Sequence, residues 1–186
     1  MTLPFQHLVR PALITTCLLS VPLVAMQFTA EVNWTLSDFV VAGGLIFGTG
    51  LAYQLLASRA GSLTYRLAVG VALAAGFLSL WANLAVGIIG SGPNPANLMF
   101  GAVYLTAFVG AFLARLRPQA LARTMLAAAL TQFLAPLAAL LFWQPEFTPD
   151  VTRGFVGNLL FVGMWLASAF LFRKAAGPRP DSGRVA

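Results

Sequence analysis

Six stretches of nearly unbroken apolar residues mark out the chain, at positions 11–30, 39–58, 67–90, 98–114, 124–142 and 154–172. Charged or turn-forming residues bound each one. A hydrocarbon core of ~30 Å is crossed by a helix of about 17–25 residues, and each stretch has that length. Only helices or closed barrels satisfy their backbone in lipid, and continuous apolar runs lack the alternation of barrel strands. The pattern predicts an all-α polytopic membrane bundle of six transmembrane helices occupying residues 1–174.

Charge then orients the bundle. Arg10, Arg59, Arg66, Arg115, Arg117, Arg123, Arg173, Lys174, Arg179 and Arg184 fall in the segments of one side, and Arg153 alone falls on the other. Glu31, Asp38, Glu146 and Asp150 take the side of Arg153, leaving only Asp181 among the basic residues. The positive-inside rule therefore predicts cytoplasmic N and C termini. The formal charge of +6 is spent on short clusters beside apolar runs, a topology pattern rather than a nucleic-acid footprint. A hydrophobic fraction of 59% with only 9% charged residues excludes an ordinary soluble domain. Phe28-Thr29-Ala30 is a poor A-x-A cleavage site, so the first run is expected to stay as a span. Residues 175–186, rich in Pro, Gly and charge, are expected to form a disordered cytoplasmic tail. Cys17 is the sole cysteine, sits in an apolar run, and reads as a packing residue.

Small residues at four-residue spacing predict close helix contacts. They are Gly44, Gly48 and Ala52 in the second run, Ala68, Ala72 and Gly76 in the third, Ala102, Thr106, Gly110 and Ala114 in the fourth, and Ala127, Thr131, Ala135 and Ala139 in the fifth. Pro22 and Pro136 lie centrally in the first and fifth runs, where they would loosen a helix enough for gating. Their placement also raises an alternative of three tandem hairpins.

The outer half collects the polar residues. The three outer segments carry Glu31, Asn33, Trp34 and Asp38; then Asn94-Pro95-Ala96-Asn97; then Asp150 and Arg153, with Asn158 just inside the sixth run. Asn83 lies 17 residues beyond Arg66, roughly 25 Å along a helix, and so falls inside the apolar slab. There its amide needs hydrogen-bond partners, as does that of Gln132 in the fifth run. A candidate ligand-binding site is therefore Asp38, Asn83, Asn97 and Asn158, with Glu31, Trp34 and Arg153 at its edge. Each has a plainer reading. Asp38 or Ser37 caps the second helix, Trp34 belongs to an aromatic belt, Arg153 pairs with Asp150, and Asn83 fixes packing. Asn94-Pro95 reads as a helix start with Asn as cap and Pro at the first helical position. A single Asn-Pro-Ala box falls short of the paired boxes of aquaporins.

Glu31-Val32-Asn33-Trp34-Thr35 with Asp38-Phe39, and the Trp81–Gly90 stretch followed by Asn94-Pro95-Ala96-Asn97, resemble a family of short, uncharacterised bacterial integral membrane proteins. The resemblance covers most of the first four runs. It implies a bacterial inner-membrane protein and carries no activity with it. That family often has an acidic residue after the Gly-Ser pair, where this chain has Gly92-Pro93.

No Walker loop, His-Glu-x-x-His or cysteine pair is present, and the single histidine, His7, precedes the first span. Gly90-Ser91-Gly92 has no histidine on its side to activate the serine. The expectation is a non-enzyme without cofactor or metal. Its partners would be the lipid bilayer and other membrane helices, those of a second copy included, and not nucleic acid. The function expected first is a permease or ligand-binding membrane protein for a small solute, proton or cation, with its polar site in the outer half of the bundle; the alternative is a non-catalytic accessory or assembly subunit of a membrane complex.

Overall fold

A computed structural model describes residues 6–58, 61–89, 94–142 and 148–177. Among them the regular structure is all helical, in the order α1 (Gln6–Ala25), α2 (Leu36–Ala57), α3 (Leu63–Ala85), a 3₁₀ segment (Pro95–Phe100) running into α4 (Gly101–Ala114), α5 (Pro118–Phe142) and α6 (Pro149–Ala175). Six helical segments, the 3₁₀ turn counted with α4, are long and apolar enough to cross a membrane. The tail expected to be disordered lies, from residue 178 onward, outside the described residues.

The boundaries shift from the hydrophobic runs for local reasons. The first run is apolar to Ala30, yet α1 stops at Ala25 and a turn follows. The third is apolar to residue 90, yet α3 stops at Ala85, because Gly87 takes the left-handed region at φ 75°. Hydropathy sees only which residues suit lipid; a glycine stop is invisible to it. Capping residues lengthen the helices at their starts. Ser62 Oγ accepts the Tyr65 amide at 3.2 Å at the head of α3, and Thr148 caps α6 with Pro149 following.

The chain divides into two compact units, one ending at Arg59 and the other starting at Ala60. In the first, α1 and α2 form a hairpin. A Cβ at Gly50 would lie 3.2 Å from Pro11 Cβ, and one at Gly43 would lie 3.2 Å from Leu19 Cδ1. The face of α2 that meets α1 is thus Gly43/Gly50. The expected pair Gly44 and Gly48 is exposed, with open space around it. Four-residue spacing finds two faces of this helix, and the closest approach chose the seven-residue one.

In the second unit α6 packs on both α3 and α5, and α4 packs on α5. Consecutive helices α3 and α4 are not principal neighbours, so the pairing is not one of tandem hairpins. Helix α5 carries the broadest buried face, including Leu121, Met125, Ala128, Gln132, Ala135 and Ala139. Gly110 of α4 abuts Thr124 of α5 so closely that a Cβ there would overlap the threonine side chain. Trp165 of α6 lies over Gly76 of α3, where a Cβ would be 3.6 Å from its ring. Apolar burial gives helices no drive to associate in lipid, so these close contacts and the polar bonds below hold the unit together.

Candidate functional site

Proline 136 explains the central polar cluster. A helix interior proline has no N–H and leaves the carbonyl four residues back without its partner. Here that carbonyl belongs to Gln132. Asn158 Nδ2 of α6 donates to it at 3.0 Å, and Gln132 Nε2 donates back to Asn158 Oδ1 at 2.7 Å. Trp165 Nε1 completes the set by donating to Gln132 Oε1 at 3.3 Å. Gln132 and Asn158 are both buried. An unpaired amide in such a place costs several kcal/mol in hydrocarbon, so the cluster locks α5 to α6 in one register. Pro136 is therefore tied down by the neighbouring helix rather than left as a loose hinge.

A second polar clamp lies where α3 ends. Beyond the Gly87 turn, Ile88 and Ile89 are buried and their amides have left the helix. Asn97 Oδ1 accepts both, at 3.0 and 2.9 Å, and Asn97 Nδ2 donates to the Ile89 carbonyl at 3.3 Å. Asn83 Nδ2 donates to the Asn97 carbonyl at 3.2 Å, fixing the 3₁₀ segment over the last turn of α3. Asn94 Oδ1 accepts the Ala96 amide at 3.0 Å, the cap expected of Asn-Pro. The Ile88 carbonyl presses on Gly154, where any Cβ would overlap it. Asn158 lies one turn further along α6, ~6 Å away. The two clamps thus follow one another along α6, the Asn97 clamp beside its first turns and the Gln132 cluster further in. Asn97→Ala strips the acceptor from two buried amides and should cost ~2 kcal/mol. Faster hydrogen exchange at the Ile88 and Ile89 amides, with a lowered melting temperature, would show it.

The other expected residues make local contacts of their own. Asp38 is exposed and belongs to a capping box: its carboxylate accepts the Thr35 N–H at 2.7 Å, and Thr35 Oγ1 accepts the Asp38 amide at 3.4 Å. The N-cap is Thr35, not Ser37 or Asp38, and the signal was the Thr-x-x-Asp spacing itself. Trp34 packs edge-on against Phe39 at 5.3 Å, and Glu31 is exposed. These three belong to the first unit, and Asn83, Asn97 and Asn158 belong to the second. Arg153 forms an exposed ion pair with Asp150 at 3.1 Å, of the kind that contributes little to stability.

Among the described residues of the second unit, each of the five buried polar side chains has a partner within it. Besides Gln132 and Asn158, Ser79 donates to Gly76 O at 3.3 Å, Thr124 to Ala120 O at 3.1 Å, and Ser168 to Ala68 O at 2.8 Å. The Tyr104 hydroxyl differs: it is buried and makes no close hydrogen bond, and it faces Ser79, whose hydroxyl donates to Gly76 O and keeps its oxygen as an acceptor. No group of three or more His, Cys, Asp or Glu residues gathers to hold a metal ion among the described residues.

Fold and site together define, among the described residues, an all-helical chain with six helical segments long and apolar enough to cross a membrane, braced by two amide clamps. No protein-family model matches the chain, and no curated protein or solved structure matches it significantly.

Proposed function

We propose that this protein is a non-catalytic accessory or assembly subunit of a bacterial inner-membrane complex, with both termini cytoplasmic. What supports this reading most is the mutual pairing of the buried amides and hydroxyls of the second unit, which leaves few polar groups for a solute path. Exposed Gly44 and Gly48, with open space where side chains would stand, give a partner helix room for close approach. The basic–acidic split between segments supports the orientation. Reporter fusions after Arg59, Ser91, Arg117 and Gln144 should alternate between cytoplasmic and external signals, and an external C-terminus would sink the orientation. Stabilisation screening of the purified chain with cations, amines and small polar solutes should leave its melting temperature unmoved. In mild detergent extracts of native membranes it should migrate well above its 19.7 kDa mass. Solute-dependent stabilisation that saturates would overturn the reading.

One observation favours the other function, a permease or ligand-binding protein. The Tyr104 hydroxyl is a buried donor that makes no close hydrogen bond and has only the Ser79 oxygen before it. Under the assembly reading, Tyr104→Phe removes a poorly satisfied polar atom and leaves stability within ~1 kcal/mol of the unaltered chain. Under the ligand reading it abolishes a solute response that the unaltered chain displays. Both are read in one thermal screen with and without Tyr104.

A further inference from the structure

The end of the second unit opposite the Asn97 clamp carries charge that no described residue balances. Tyr65 is its hub. Its hydroxyl donates to the Leu116 carbonyl in the α4–α5 turn at 3.1 Å, and its ring packs edge-on against Phe172 near the end of α6, at 5.2 Å. One buried side chain therefore joins three chain segments. An arginine flanks each contact: Arg66 follows Tyr65, Arg115 and Arg117 bracket Leu116, and Arg173 follows Phe172. All four are exposed, as are Arg123, one and a half turns into α5, and Lys174. The turn itself is held in an unusual shape. Arg115 and Leu116 both take left-handed backbone, at φ 47° and 61°, which non-glycine residues adopt at a cost. Tyr65 ties that turn to the bundle.

Among the described residues, no acidic residue accompanies these cations. In the described part of the second unit the only carboxylate is Asp150, at the far end of α6, about 23 residues or ~34 Å from Arg173. It is already paired with Arg153. The spans of α3, α5 and α6 begin or end beside the arginines, which puts the cluster at the level where a bilayer presents its headgroups. Guanidinium groups match phosphate geometry through paired N–H donors. Clustered cations beside a span attract anionic lipid far more than zwitterionic lipid.

We propose that this face, centred on Tyr65 and the α4–α5 turn, is a binding surface for the phosphate headgroup of an anionic phospholipid. Arg66, Arg115, Arg117 and Arg173 supply the charge, and Tyr65 is the positioning residue that holds their backbones together. The surface is independent of whether the chain is an assembly subunit or a permease.

The test uses the purified full chain in neutral detergent, with phosphatidylglycerol titrated and bound lipid read by native mass spectrometry. Phosphatidylglycerol should bind saturably, while phosphatidylcholine should bind far more weakly. Inorganic phosphate and glycerol phosphate should not compete at comparable concentration, since they lack the acyl chains. Each lost arginine should weaken binding ~5-fold, so Arg115→Gln with Arg117→Gln should weaken it ~30-fold. Arg66→Gln with Arg173→Gln provides a second pair should the first not fold. Arg153→Gln, at the other end, should leave the affinity unchanged. Tyr65→Phe keeps every arginine and should still weaken binding, because the turn is released. Equal binding of phosphatidylcholine, or full affinity in a folded double variant, would overturn the proposal. Competition by inorganic phosphate alone at equal strength would overturn it as a lipid site.

Discussion

Asn158→Ala is expected to destabilise the second unit by ~2–3 kcal/mol, more than an average interhelical hydrogen bond in a membrane contributes. The excess has a specific source. The substitution leaves two buried groups of Gln132 unpaired at once, its Nε2 amide and its backbone carbonyl. The carbonyl is exceptional because Pro136 cannot donate to it. Pro136→Ala returns an N–H at that position, so in that background the carbonyl has a local partner and Asn158→Ala should cost ~1 kcal/mol less. Reversible unfolding of the four variants of this cycle in mixed micelles gives the coupling directly. Additivity within ~0.3 kcal/mol would mean that the carbonyl is satisfied without Asn158, and the account of Pro136 would fall.

Much of this fold is legible in the order of residues, for a definite reason. Lipid tolerates only long apolar helices, so run length alone sets the number of spans, and the capping residues Ser62, Asn94 and Thr148 sharpen their starts. Pairing between helices is less legible. Gly44 and Gly48 satisfy a small-residue pattern as well as Gly43 and Gly50 do, and only three-dimensional contact distinguishes them. The candidate site is legible in part. Asn83, Asn97 and Asn158 stand out as amides in apolar surroundings, and each proves to be bonded. What they bond to is set by backbone groups that sequence does not display: amides released after Gly87, and a carbonyl released by Pro136. The spacing from Gln132 to Pro136, four residues, was a readable sign that one carbonyl in that helix needs an outside donor. Tyr65 gave no sign, since its two contacts reach residues 51 and 107 positions away along the chain.

Gly154→Ala is expected to destabilise the same unit by ~1–3 kcal/mol, against the usual gain of up to ~1 kcal/mol when a helical glycine becomes alanine. The added methyl would overlap the Ile88 carbonyl oxygen, a backbone atom with little room to yield. Ile88 and Ile89 are buried, and both their amides are held by Asn97. Three residues along the same helix, a Cβ at Gly157 would meet nothing within 4 Å, so Gly157→Ala should be neutral or mildly stabilising and serves as the matched control. The rigidity of the loop makes a second, sharper expectation. If Asn97 is what prevents the carbonyl from moving aside, then Asn97→Ala should relieve part of the Gly154→Ala penalty, and the double variant should be more stable than the sum of the two losses predicts by at least ~0.5 kcal/mol. Equal melting temperatures for Gly154→Ala and Gly157→Ala would remove the close approach of α6 to the α3 loop as a feature of this fold. A large Gly154→Ala loss with no coupling to Asn97 would instead assign the stiffness of that loop to the burial of its two isoleucine side chains.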